Sequence, residues 1–222
     1  MSREYTRLIS VLGTTPSHGP FIYHDDFEHL LKWTKYAGVG DAIYELDPTI
    51  AYSKNQSLYL KTRTTGAAED DQIGTLMYLY MTPPKKLNYA FHFRSPDFTK
   101  IKKIRFYFIL LDGVNRHYPT IIFYPNTPQW QYHDSADAPQ NIANAIYPLQ
   151  NLAWHRVQLL ADLNSDKYIA LKIDSRYYDL SAFSLYHPTA GTPMHLYVHI
   201  DMYTIGASPC EMHIDDFLIH EL

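Results

Sequence analysis

The chain of 222 residues has little of what marks several common protein classes. It has one cysteine, Cys210, so no intramolecular disulfide can form and no oxidising compartment is required. A reactive thiol needs a base and an electropositive setting. Only His213 stands near Cys210 in sequence, which points to a semi-buried structural thiol. Glycine is scarce, at nine residues. Neither a Gly-x-Ser-x-Gly elbow nor a Gly-rich phosphate loop occurs, which argues against serine-hydrolase and nucleotide chemistry. His-Glu-x-x-His is absent, and Cys-x-x-Cys is impossible with one cysteine. No apolar run approaches the length of a membrane span. No basic stripe exists either: the densest cluster is Lys100, Lys102, Lys103 and Arg105, in a chain of net charge −4. Nucleic-acid binding leaves a strong positive footprint, so neither nucleic acid nor membrane is an expected partner. The stretch from Met1 to Ser10 lacks the apolar core of a signal peptide, and the expected location is cytoplasmic.

What the chain does have is tyrosine, 20 residues of it, in an aromatic fraction of 15%. Tyrosine favours strands and also suits wet binding surfaces, with an apolar ring and a polar tip. Period-two alternation recurs over 57–62, 75–81, 88–94, 105–111, 120–124, 129–133, 155–162, 167–174, 195–203 and 211–220. Asp112-Gly113 and Asn164 to Asp166 read as turns. Residues 134–153 read as loop, with a short helical turn around Gln140 to Ala145. Short alternating strands at this spacing predict an all-β, antiparallel two-sheet sandwich. No long amphipathic helix competes. The breaker cluster over 14–20 sets off an N-terminal segment, 1–20, from a single domain, 21–222.

Three stretches together resemble concanavalin A-like lectin/glucanase jelly rolls, carbohydrate-binding modules included. They are Asp25, Asp26, Phe27 and Glu28 with Trp33 and 55–60; Trp154 to Leu159 with Asp162, 169–174 and 178–181; and the closing Ile214, Asp215, Asp216, Phe217 and Leu218. The resemblance covers nearly the whole chain from about residue 20, and it implies that the opening acidic strand lies beside the closing one. It also implies a structural Ca²⁺ near that junction, with Glu28 and Asp216 as ligands, since hard carboxylate oxygens suit calcium. The alternative is that these acids cap strand ends or pair with Lys and Arg.

Glycoside hydrolysis needs two carboxylates facing one another across a sugar. In this fold they often form Glu-x-Asp-x-x-Glu on one strand. The motif is missing: Glu45 and Asp47 are followed by Pro48, Thr49 and Ile50, and Glu211 to Asp216 has the wrong spacing. Asp201 with Glu45 or Asp47 remains a possible acid set, without warrant from spacing. The strongest pattern is His195, Tyr197, His199, Asp201 and Tyr203, which share one face of a strand while Leu196, Val198, Ile200 and Met202 face the core. His195 and His199 lie about 13 Å apart at about 3.3 Å per residue, too far to share a metal. Tyr78 with Tyr80, His92 with Arg94, Arg105 with Tyr107, and Trp130 with Tyr132 form comparable sets.

If these sets meet on one sheet, they make a concave surface suited to sugars, whose C–H faces lie on rings while their hydroxyls take fixed hydrogen bonds. The leading expectation is non-catalytic binding of an oligo- or polysaccharide. Trp130, Tyr132, Tyr107, Tyr80 and Tyr197 would stack on the sugar, with His92, Arg94, His199 and Asp201 as polar contacts. Trp130 is the best candidate for an exposed ring, while Trp33 and Trp154 are expected in the core. A glycoside hydrolase or polysaccharide lyase of the same fold is the enzymatic alternative. A homo-oligomer that uses the tyrosine face as its interface is the structural one.

Overall fold

The computed structural model describes residues 21–29, 32–80, 84–189 and 194–222. The N-terminal segment 1–20 lies outside the described residues. In chain order the strands are β1 (Phe21–Asp25), β2 (Thr34–Ala37), β3 (Ile43–Asp47), β4 (Ser57–Lys61), β5 (Gln72–Leu79), β6 (Lys86–Arg94), β7 (Ile101–Leu111) and β8 (Arg116–His117). They continue as β9 (Thr120–Tyr124), β10 (Gln129–His133), β11 (Pro139–Ile146), β12 (His155–Asp162), β13 (Lys167–Ile173), β14 (Arg176–Asp179), β15 (His195–Thr204) and β16 (Glu211–Glu221). One 3-10 turn, Phe98–Lys100, precedes β7, and no α-helix occurs among the described residues.

The strands form two antiparallel sheets, as the alternation predicts. The first runs β14-β13-β12-β6-β16-β4-β3; the second runs β11-β10-β9-β7-β15-β5-β2, with β8 on β7. The closing strand β16 organises the first sheet. Its near half pairs with β4 and its far half with β1, so Asp25 lies opposite Phe217, and the acidic opening strand sits beside the closing one. The two sheets meet through aromatic side chains. Tyr89, Phe91 and Phe93 of β6 face Phe106 and Phe108 of β7, with Phe91–Phe106 at 5.0 Å, Phe93–Phe106 at 5.4 Å and Tyr89–Phe108 edge-on at 5.4 Å. Such pairs add packing specificity to the area they bury.

Residues 139–146, expected as loop or helical turn, form the edge strand β11. Only Ile142 and Ala145 face inward, and the register slips between Gln129 and Gln131, so no clean alternation marks the strand in sequence. Trp130 also needs correcting. It pairs with Phe123 across β9–β10, stacks on that ring at 4.6 Å and is fully buried between the sheets. Tyr132 follows it inward and stacks on Phe183 at 4.4 Å. The alternation over 129–133 is real, but Gln129, Gln131 and His133 are its outward set. Trp33 lies in the core, edge-on to Phe217 at 4.7 Å. Trp154 does not: it is half-buried beside Tyr52 at 5.8 Å. Cys210 is buried near Thr62, and its thiol is pushed up to about 12 by burial, as befits a structural thiol.

Because Trp130 fills the inter-sheet core, Trp130→Ala should cost about 3–5 kcal/mol of stability. Urea unfolding monitored by circular dichroism checks this; a loss below about 1 kcal/mol would mean that the ring is not a core element.

Candidate functional site

The candidate site is built on β15, an interior strand of the second sheet between β7 and β5. Its neighbours β5 and β7 place four rungs on the outer face. Tyr197 lies between Tyr78 and Ile109, His199 between Leu76 and Tyr107, Asp201 between Gly74 and Arg105, and Tyr203 between Gln72 and Lys103. Inward, Leu196, Val198, Ile200 and Met202 are fully buried, as the alternation predicts. Cross-strand neighbours on one face stand about 5 Å apart, and the rings here engage one another. Tyr107 stacks on His199 at 4.4 Å, Tyr36 of β2 meets the same imidazole edge-on at 5.0 Å, and Tyr78 meets Tyr197 at 4.5 Å. Tyr80 stands beside His195 at the end of this row and is 83% exposed.

Asp201 anchors the polar end. Its carboxylate is fully buried, and Oδ2 accepts from Arg105 Nη2 at 2.7 Å and Nε at 3.2 Å. Oδ1 lies over Gly74 without a hydrogen bond. The glycine is required there, because a Cβ at position 74 would stand 2.1 Å from Oδ1 and 2.9 Å from the Ile200 carbonyl oxygen. Burial raises the Asp201 carboxyl to about 6, although the Arg105 charge pulls it back down. Arg105 in turn lies over the Tyr107 ring at 4.7 Å, and Lys103 lies over Tyr203 at 4.3 Å. Burial, with Arg105 nearby, lowers the His199 imidazole to about 4, so it is neutral at physiological pH.

The structure thus brings together Tyr80, Tyr107, Tyr197, His199 and Asp201 of the expected set. It does not bring in the others. Trp130 and Tyr132 lie between the sheets, while His92 and Arg94 lie on the outer face of the first sheet, on the opposite side of the molecule. Glu45 and Asp47 also belong to that opposite face, where Asp47 accepts from His213 Nε2 at 2.9 Å. An acid pair of either with Asp201 is therefore ruled out. Tyr36 and Gly74 were not expected. The isolated glycine inside an alternating strand is a recognisable sign of close approach, whereas β2 is too short to carry any pattern.

The acids at the β1–β16 junction serve another purpose. Asp215 accepts from the backbone N–H groups of Tyr52, Ser53 and Asp216, and Asp216 accepts from Ser53 Oγ at 2.7 Å. Glu28 accepts from the Asn55 backbone and side-chain N–H groups and from Gln56 N, and Lys54 pairs with Asp26. Glu28 and Asp216 therefore pin the loop over 48–56 onto the first sheet. Their surroundings are chiefly N–H and O–H donors, whereas calcium demands a shell of oxygen acceptors. No group of three or more His, Cys, Asp or Glu side chains that could hold a metal ion occurs among the described residues. As arranged, these residues do not fit the calcium shell that the resemblance implies.

No family model matches the sequence, and no curated protein matches it. Solved structures do. An endo-β-1,4-glucuronan lyase from the fungus Trichoderma reesei aligns with a TM-score of 0.61 at 10% identity, over 91% of this chain and 96% of that one. A sialidase aligns with a TM-score of 0.60 at 12% identity, over 92% of this chain; the chain spans only 19% of the sialidase. A cellulose-induced protein aligns with a TM-score of 0.59 at 15% identity, over 90% and 98% of the two chains. The chain has the concanavalin A-like jelly-roll fold.

Two predictions follow from the site's geometry and charge. Gly74→Ala forces the Asp201 carboxylate off its seat and should cost about 1–3 kcal/mol, the usual range for overpacking; thermal unfolding measures it, and an unchanged midpoint would contradict the close approach. The second concerns pH. His199 stays neutral when folded, while the unfolded chain takes up a proton below its ordinary value of 6.5, so folded stability falls as pH drops from 6.5 toward 4. Asp201 has the opposite sign: its raised carboxyl holds a proton that the unfolded chain releases, and that contribution is lost as pH rises from about 4 to about 6. His199→Phe should therefore flatten the acid loss of stability, and Asp201→Asn should steepen it. Urea midpoints at a series of pH values decide the matter, and identical slopes in all three proteins would refute both assignments.

Proposed function

We propose that the outer face of the second sheet binds a glycan. One observation carries this reading: Tyr36, Tyr78, Tyr80, Tyr107, Tyr197 and Tyr203, with His199 and Arg105, stand together on that face, and Tyr36, Tyr78 and Tyr80 are exposed. Exposed rings at strand spacing give flat apolar seats for sugar C–H faces, while the phenol, imidazole and guanidinium groups supply hydrogen bonds to hydroxyls. The fold shared with a glucuronan lyase, a β-glucanase and a carbohydrate recognition domain is in keeping with this.

A second reading, polysaccharide elimination, is favoured by one feature. The face offers a single carboxylate, Asp201, already tied to Arg105, so the paired acids of a hydrolase are lacking among its described residues. It does offer a neutral imidazole stacked on a phenol beside a guanidinium. In a uronate chain such a base would remove the C5 proton while the C4–O bond breaks, leaving a C4=C5 double bond, the departing oxygen taking its proton from a phenol such as Tyr107 and a cation standing against the carboxylate.

A glycan array followed by calorimetry tests the first reading. A ligand should be found, and Tyr197→Ala and Tyr78→Ala should each weaken it about tenfold, about 1.4 kcal/mol. No binding by the folded protein, or a stable oligomer in light scattering that covers these tyrosines, would defeat it. Incubation with polyuronates, followed by ultraviolet absorbance of the unsaturated product, tests the second; product formation that His199→Ala abolishes would support elimination, and no product would remove it.

A further inference from the structure

The first sheet carries two arginines, Arg94 and Arg156, whose guanidinium groups make no hydrogen bond or ion pair among the described residues, although the Asp216 charge acts on Arg156. Across its outer face one rung reads Glu45, Tyr59, His213, Arg94, and the next brings Asp215, His92 and Arg156 side by side. Arg94 and Arg156 are therefore diagonal neighbours on adjacent strands, about 7 Å apart at the backbone and within reach of the same small group. Both are half-buried, and in both Nε is sealed from solvent without an acceptor.

The nearby carboxylates make their hydrogen bonds elsewhere. Asp215 is taken by three backbone amides, Asp47 by His213 and Thr49, and Glu211 by Tyr59 and Lys61, while Asp216 meets Ser53 and His24 through Oδ1, makes no hydrogen bond through Oδ2 and reaches Arg156 only through its charge. Asp174 accepts from the His155 and Tyr147 side chains and from the Arg156 backbone, leaving the guanidinium unmet. Several other half-buried cations do have acceptors: Arg63 pairs with Asp71, Arg105 with Asp201 and Lys102 with Glu69 and Asp70, and Lys35 donates to the Ala42 carbonyl oxygen; Arg116 shares the unmet Nε but gives Nη1 to Tyr118, and Lys103 and Lys172 lie over tyrosine rings. A buried donor left unmet is costly, and two adjacent guanidinium forks match the geometry of an oxyanion. Aromatic surface adjoins the pair. Tyr52, 49% exposed, lies flat on His92 at 3.7 Å and meets Trp154 edge-on.

We propose that Arg94 and Arg156 form a second ligand site, on the face opposite β15, that binds an oxyanion carried on a sugar ring, either a uronate carboxylate or a sulfate ester, with the ring resting against Tyr52 and Trp154. The sugar part of this rests on the glycan reading of the fold; the oxyanion part rests on the arginines. The ligand meets two fixed cations and an aromatic wall, and a neutral sugar gains only the wall.

The test titrates the full chain with an oligoglucuronate, a sulfated oligosaccharide, a neutral glucose oligomer of equal length and inorganic sulfate, by calorimetry and tryptophan fluorescence. At least one acidic saccharide should bind and change the fluorescence of half-buried Trp154, more strongly than the neutral oligomer or free sulfate. The two acidic arms identify which oxyanion is taken. Arg94→Gln and Arg156→Gln should each weaken binding at least tenfold, and Arg156→Lys should retain part of it should the glutamine variant fail to fold. Equal binding of inorganic sulfate would overturn the sugar assignment. Acidic-saccharide binding that survives both arginine substitutions, or no acidic-saccharide binding, would overturn the site. Loss through Tyr197→Ala alone would return all binding to the second sheet.

Discussion

The register of β15 between β5 and β7 is the constraint on which the candidate site depends. Side chains on a strand alternate, so the burial of Leu196, Val198, Ile200 and Met202 leaves Tyr197, His199, Asp201 and Tyr203 no choice of side. A one-residue slip would exchange the two sets. The core makes that slip expensive, because the inward residues pack against rings from both sheets. The apolar half of the strand thus holds the polar half in position, and Gly74 adds a local lock by admitting only the Asp201 carboxylate at its rung.

The two outer faces of the sandwich are treated differently. On the second sheet the cation beside Asp201 is neutralised within the face, so the surface presents rings and neutral hydrogen-bonding groups around one internal ion pair, with Lys103 lying over Tyr203. On the first sheet the carboxylates of the β1–β16 junction hold the 48–56 loop by its backbone amides, which leaves the nearby arginines unmatched. Asp215 reflects the cost of this arrangement: burial beside Asp216 pushes its carboxyl up to about 7 despite the backbone amides that favour the charge. The same acids that suggested a cation site are thus employed in closing a loop.

Much of the architecture was legible in the sequence, and its physical basis explains where legibility stopped. Alternation located β4 to β7, β9, β10, β12, β13, β15 and β16 and the shared face of β15, because a strand between two environments writes them into consecutive residues. It did not say which side of β10 is the inside. Gln129, Trp130, Gln131, Tyr132 and His133 alternate either way, and only the pairing of Trp130 with Phe123 decides it. Alternation could not assign strands to sheets either, so His92 and Arg94 were grouped with His199 although a whole core separates them. β11 escaped because a register slip at its centre destroys the period. The roles of Glu28 and Asp216 depend on contacts with Asn55, Gln56 and Ser53, distant in sequence, which no local pattern carries.

The central claim, that the β5–β15–β7 face is where a glycan sits, is tested most directly by mapping amide chemical shifts in a labelled protein as an oligosaccharide is added. The account predicts that the largest changes cluster on β5, β7 and β15 around Tyr78, Tyr107, Tyr197 and His199. Changes confined to the chain's other surfaces, with this face silent at saturation, would contradict it.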